Sequence, residues 1–333
     1  MKKVVNAPER VVEDMLRGMG LAHPGLVRII PEYNVVVRAD APIEGKVALV
    51  SGGGSGHEPT HGGYVGEGML DAACAGAVFT SPTPEQMLEA TKAVNGGAGV
   101  FYVVKNYTGD VLNFEMAGEL AEAEGIETDF MVTNDDVAVE DSTYTSGRRG
   151  IAGTVFVHKI CGAAAEDGRD LAGVKELAQR VNANVRSMGM ALTSCTPPES
   201  GEPIFEIGED EMEIGIGIHG EPGVERKQVG PADQIVEELL GKILGDSVDF
   251  SGSEAAVIVN GMGGTPLMEL YVAYARVQDV LEREGVRVWR MPYIGDYMTS
   301  LEMAGFSITL LRLDDEMKTY LGAPCNVAAG RPF

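Results

Sequence analysis

The hydrophobic and polar positions of this chain change period repeatedly along its length. Residues 9–19 follow the 3.6-residue period of an amphipathic helix. Short apolar runs of strand length follow, at Lys46–Val50, Ala77–Phe79, Val100–Val104 and Phe130–Val132. Helical patterns alternate with them over Pro84–Val94, Val111–Gly125 and Gly153–Glu166. Residues 170–190 predict another helix, with Leu171, Val174, Leu177, Val181, Val185 and Met188 at helical spacing. Thr196–Pro203 (TPPESGEP) reads as a linker. Strands are then expected near 214–218, 255–260 and 307–313. This alternation predicts the α/β class, as two α/β domains (1–190 and 191–333), each on a largely parallel or mixed sheet with flanking helices. With 333 residues, 44% of them hydrophobic, the chain can bury two cores.

Three of the expected strands end on polar side chains. Ser51–His57 (SGGGSGH) follows Lys46–Val50, Lys105–Asp110 (KNYTGD) follows Val100–Val104, and His219 follows the run Ile214–Ile218 (IGIGI). In open α/β sheets, ligands bind beyond the carboxyl ends of the strands. If the three ends converge, His57, His219, Lys105 and Asp110 share one pocket. The glycines let backbone N–H groups come close to a ligand oxygen. The run is neither a P-loop, which requires GxxxxGK[ST], nor a clean GxGxxG dinucleotide motif. Asp110 stands just before the helix expected at Val111, an N-cap position, and within reach of a pocket it can also accept a proton. Lys105 either donates to a substrate oxygen or is a solvated strand-end charge. An imidazole such as His219, with an ordinary pKa of about 6.5, is largely neutral at pH 7 and can serve as base, metal ligand or nucleophile. A satisfied structural histidine is the other reading. His61 is four residues after His57, but Pro59 breaks any helix that would pair them on a metal. His23 and His158 read as structural.

Charge narrows the function classes. Fifty acidic residues against 26 basic ones give a net charge of −24 and a pI near 4.5. Such a surface opposes nucleic acid and anionic lipid, so neither is expected as a partner. With 10 lysines against 16 arginines, the excess of acid fits either a high-salt cytosol or a soluble acidic enzyme. Cys74, Cys161, Cys195 and Cys325 lie far apart with no metal-ligand spacing, as expected of a reduced, cytoplasmic chain without a bound metal. The N-terminal residues lack the apolar core of a signal peptide, and no uncharged apolar stretch is long enough to span a membrane.

Six ordered motifs covering essentially the whole chain carry a resemblance. They are Ser51–Gly63 (SGGGSGHEPTHGG), Val104–Phe114 (VKNYTGDVLNF), Ser146–Ile160 (SGRRGIAGTVFVHKI), Gly215–Gly223 (GIGIHGEPG), Asn260–Glu269 (NGMGGTPLME) and Gly295–Gly305 (GDYMTSLEMAG). The chain resembles the dihydroxyacetone-binding subunits of dihydroxyacetone kinases. The resemblance implies that His219 forms a covalent hemiaminal with the substrate ketone, that Asp110 activates the terminal hydroxyl, and that His57 is a second acid/base. It also implies substrate contacts from Gly54, Ser55, Gly56 and Lys105. It implies a homodimer, and a partner: a separate helical nucleotide-binding subunit carrying ADP or ATP with Mg, since the chain stops at Phe333, too soon after the last motif for another domain. No cofactor is then expected on this chain itself. A phosphoenolpyruvate-dependent phosphotransferase relay protein, acting indirectly, is the expected recharging partner in bacterial-type systems, and direct use of ATP is the alternative. Two other readings stay open: a ketone-sensing transcriptional co-activator, and a kinase subunit for a C4 ketose such as erythrulose.

Overall fold

The computed structural model describes residues 2–139 and 147–330, so Ser146, the first residue of the third motif, lies outside the described residues. Two mixed sheets form the frame. In the first, the strands run in the order Val27–Ile30, Val35–Arg38, Ala72–Val78, Ala48–Ser55, Val100–Lys105, Thr128–Thr133. The last four are parallel to one another, and the first two join antiparallel at the edge. The second sheet runs Glu225–Gln228, Glu211–Ile214, Val185–Ala191, Gly305–Arg312, Glu254–Gly261, and there Arg287–Val288 and Tyr293–Gly295 pair in parallel with Glu254–Gly261. Its other pairings are antiparallel.

Helices alternate with the sheets as layers. Pro84–Val94 and Thr108–Ala123 cover the outer face of the first sheet, and Ala232–Leu244 and Leu267–Arg283 that of the second. Between the sheets lie Thr154–Glu166 and Leu171–Asn184. Every residue from Thr154 to Ala165 is buried, which suits a helix that is apolar nearly all round. One continuous core joins Leu49, Phe101 and Val103 of the first sheet, through Val155, Ile160 and Leu177, to Ala256, Ile258 and Leu311 of the second.

Three local expectations are corrected. Residues 185–190, expected to end a helix, form a strand of the second sheet; β-branched Val185 already has extended geometry. Position 190 therefore falls inside a strand. The glycines after Val50 do not turn: the strand continues through Ser55, buried throughout. The strand expected over 214–218 stops at Ile214, because Gly215 has φ +78°, outside the extended region. Among the described residues, no helix is long and apolar enough to cross a membrane.

Candidate functional site

Two parallel neighbours of the first sheet end at the same edge. Ala48–Ser55 pairs in parallel with Val100–Lys105, Ser51 opposite Val103, so Lys105 and His57 stand at and just beyond the carboxyl ends of adjacent strands. Lys105 is fully buried and passes directly over Gly53, where a β-carbon would stand 2.5 Å from Nζ. Its Nζ lies 3.5 Å from Asp110 Oδ2. Asp110 is in the first turn of Thr108–Ala123, and Tyr107, not Asp110, holds the N-cap position. The carboxylate thus faces the positive end of the helix without capping it, and its Oδ1 has no protein partner.

His57 is also fully buried. Its Nδ1 lies 2.7 Å from the carbonyl oxygen of Thr299, which can only accept, so Nδ1 carries the proton. Nε2 then presents a lone pair with no protein partner. Burial, followed by the charges of His219 and Lys105, holds the pKa of His57 well below the ordinary value, against the Thr299 bond. The ring is a neutral base at pH 7.

His219 comes from the second sheet's side. Gly215 ends its strand, and the bonds from Gly217 N–H to the Glu221 carbonyl (3.0 Å) and Gly220 N–H to the Gly217 carbonyl (3.1 Å) tighten the loop that presents the ring. Buried Glu221 accepts from His219 twice, at 2.9 Å from the backbone N–H and 2.9 Å from Nδ1. Burial pushes the Glu221 pKa up, but the charge and hydrogen bond of His219, and then Arg149, outweigh it and bring it to about 2. With Nδ1 held by that carboxylate, Nε2 is the ring nitrogen left for a ligand. Tyr107 and Phe79 stand edge-on to this ring at centroid distances of 4.6 and 5.3 Å, and the His57 ring is 4.7 Å away.

An open cleft of about 610 Å³ lies over these groups, lined by Gly54, Phe79, Ser81, Tyr107, Asp110 and His219, among others. His57 and Lys105 are buried beside it. Convergence of the three segments, expected from the sequence, is therefore what the fold produces. Two groups of the glycine run already have protein partners. Ser55 Oγ donates to the Gly76 carbonyl at 2.7 Å, and the Gly56 N–H donates to the Glu58 carboxylate at 3.0 Å. Of that run, Gly54 faces the cleft. Sequence reasoning assigned no role to Glu221, Tyr107, Phe79 or Thr299; Glu221 carried a signal, two residues after His219 in a glycine-rich loop. Of the structural histidines, His158 lies in a buried helix with Nε2 2.9 Å from His61 Nδ1. No group of three or more histidine, cysteine or carboxylate side chains able to hold a metal occurs among the described residues.

Chemically, two imidazoles, a carboxylate and a lysine side chain converge at or beside one cleft. The family model of the Dak1 domain matches residues 17–329. The chain belongs to the Dak1 family. Among Dak1 relatives, the PTS-dependent dihydroxyacetone kinase 1, dihydroxyacetone-binding subunit of Listeria innocua is 54% identical over 316 residues, 95% of each chain. Among solved Dak1 structures, a dihydroxyacetone kinase operon co-activator superposes with TM-score 0.89 at 36% identity, over 96% of this chain and 98% of that one. The dihydroxyacetone kinase of C. freundii in complex with AMP-PNP and Mg²⁺ gives 0.90 at 34% identity, over 99% of this chain but 60% of that longer one.

Proposed function

We propose that this chain is the ketone-binding half of a dihydroxyacetone kinase, a phosphotransferase that works with a separate nucleotide-binding subunit. One observation carries the reading: His219, its Nδ1 held by Glu221, shares a cleft with Asp110, and Lys105 and the unpartnered Nε2 of the neutral base His57 are buried beside it. His219 Nε2 attacks the ketone carbon. The carbonyl π pair moves to oxygen, which takes a solvent proton relayed by His57. The imidazolium keeps its Nδ1 proton, paired with Glu221. The product is a hemiaminal, and reversal releases the ketone. Asp110 then takes the proton of the terminal hydroxyl as that oxygen bonds to the terminal phosphorus of the donor on the partner, whose bond to the bridging oxygen breaks so that the nucleoside diphosphate leaves, and Lys105 holds the carboxylate. A C3 ketone offers too little area for tight noncovalent binding, and a bond to its carbonyl discriminates it from glycerol, which has no electrophilic carbon. The bond also fixes the hydroxyl for transfer.

The partner is a helical subunit carrying the nucleotide with Mg. A phosphoenolpyruvate-driven relay recharges it, in keeping with the PTS-dependent relative at 54% identity. A homodimer is the proposed assembly, and size-exclusion chromatography with light scattering checks it. The co-activator likeness favours a second reading, in which ketone binding signals without phosphoryl transfer. The retained Asp110 argues for transfer, which needs a base where sensing does not.

The test is native mass spectrometry after mixing with dihydroxyacetone, erythrulose or glycerol. A one-triose adduct with dihydroxyacetone, absent with glycerol and in His219→Ala, is expected. An adduct retained in His219→Ala overturns the nucleophile, and an adduct with erythrulose alone overturns the substrate. Addition of the nucleotide-binding subunit and donor separates kinase from sensor by phosphorylated product.

A further inference from the structure

The arginine motif at Ser146–Gly150 takes no part in the chemistry above, yet it places a fully buried cation behind the candidate nucleophile. Arg149 Nε donates to Asp136 Oδ2 at 2.7 Å, with Nη2 2.6 Å from the same oxygen, and Nη2 donates to the Gly215 carbonyl at 2.7 Å. Its Nη1 has no hydrogen-bond partner. That nitrogen points toward Glu221. A β-carbon on Gly217 would stand 2.6 Å from Arg149 Nη1 and 2.0 Å from Glu221 Oε2. Guanidinium and carboxylate therefore face each other across a residue that has room for them only as glycine.

We infer that Arg149 is a positioning residue: from behind, it keeps Glu221 an ionised acceptor and so holds His219 in the Nδ1–H tautomer that leaves Nε2 nucleophilic. This rests on the ketone-binding reading of His219. The charges explain the need. Asp136, Arg149 and Glu221 are at most 1% exposed. Without the cation, Glu221 would lose a buried positive charge that favours its ionised form. A protonated Glu221 would donate to Nδ1 and move the His219 proton to Nε2, the atom that must attack. With Arg149 present, the cluster carries one net negative charge, which the imidazolium formed on attack neutralises. Burial raises Asp136 to about 6, which still leaves it ionised at pH 7 to anchor the guanidinium.

The experiment uses the full-length protein and dihydroxyacetone, with two readouts. Nitrogen-15 NMR of the His219 ring reports the tautomer without ligand, and adduct formation reports affinity. Arg149→Gln is measured in the wild-type background and in Glu221→Gln. The inference expects Arg149→Gln to populate the Nε2–H tautomer and weaken adduct formation about tenfold, with little further loss in the Glu221→Gln background. An unchanged tautomer, or the same loss in both backgrounds, overturns it. If Arg149→Gln does not fold, Arg149→Lys is read instead: one ammonium cannot serve both carboxylates, so a smaller shift of tautomer and affinity together is expected, and a change in neither overturns the inference. Failure of the wild-type protein itself to form an adduct would instead sink the ketone-binding reading.

Discussion

Single residues in this site separate by the partner each one lacks. Asp110 has one oxygen near Lys105 and one without a partner, the arrangement of a group awaiting a substrate hydroxyl. Asp110→Asn should retain the triose adduct and lose turnover by about 10²–10⁴, the usual range for a general base. The check is adduct mass beside a coupled assay with the nucleotide-binding subunit, and near-normal turnover would remove Asp110 from that role. Ser55 is the opposite case, since its hydroxyl is spent on Gly76. Ser55→Ala should leave adduct affinity unchanged and cost about 1 kcal/mol in urea denaturation, the worth of one buried hydrogen bond. His57, Lys105, Asp110 and His219 were legible because polar residues at strand ends stand out against apolar runs. Glu221 and Arg149 were not, because a charged residue in a loop usually means solvent, and only the fold reveals that both are buried.

At the scale of elements, the glycine run shows where sequence reading misjudged geometry and still located the site. Three successive glycines suggest a turn, but here they stay in the strand because neighbours come too close for side chains. A β-carbon on Gly54 would stand 2.5 Å from the Thr80 nitrogen and 2.7 Å from Phe79 backbone atoms. Gly54→Ala should therefore displace the Phe79–Thr80 segment from the cleft, weaken triose binding and cost about 1–3 kcal/mol, as overpacking does. Calorimetric titration together with thermal melting would check this. Gly18, in the helix Val11–Ala22, has open space at the same position. Gly18→Ala should gain about 0.5–1 kcal/mol with activity unchanged, since only helix propensity differs. Residues 185–190 misled for another reason. Val185 and Met188 fit helical spacing and a buried strand equally well, and only pairing with Gly305–Arg312 settles which forms.

The whole molecule buries unusual titratable groups. Burial lowers His57, His61 and His158, the last to about 3, so all three are neutral when folded at pH 7. Unfolded, they titrate near 6.5. Below that pH the unfolded chain binds more protons, so these histidines contribute stability that is full above 6.5 and is lost as pH falls toward 3. Burial of Glu58, Asp135 and Asp136 raises their pKa values, which offsets part of that loss. His158→Gln should flatten the pH dependence of unfolding free energy between pH 6.5 and 4 by about 1.4 kcal/mol per pH unit, one proton's worth. Urea melts at several pH values would check it, and an unaltered slope would mean that His158 is protonated in the fold. The α/β class was legible at this scale from alternation alone. The shared core was not, because hydrophobic periodicity says that a helix is buried without saying between which layers.

The seam joining the two sides of the cleft has a consequence for inheritance. His57 donates to Thr299, 242 positions away, and the N–H groups of Thr299 and Leu301 return to the carbonyls of His57 and Gly56. The base and the residues that orient it are encoded 242 codons apart. A crossover between two related genes anywhere within that interval would part them. Chimeras of Dak1 relatives should stay functional only where both parents supply a compatible 56–58 and 299–301 pair, so the two sides are expected to diverge as a unit, despite lying in loops that follow strands of separate sheets.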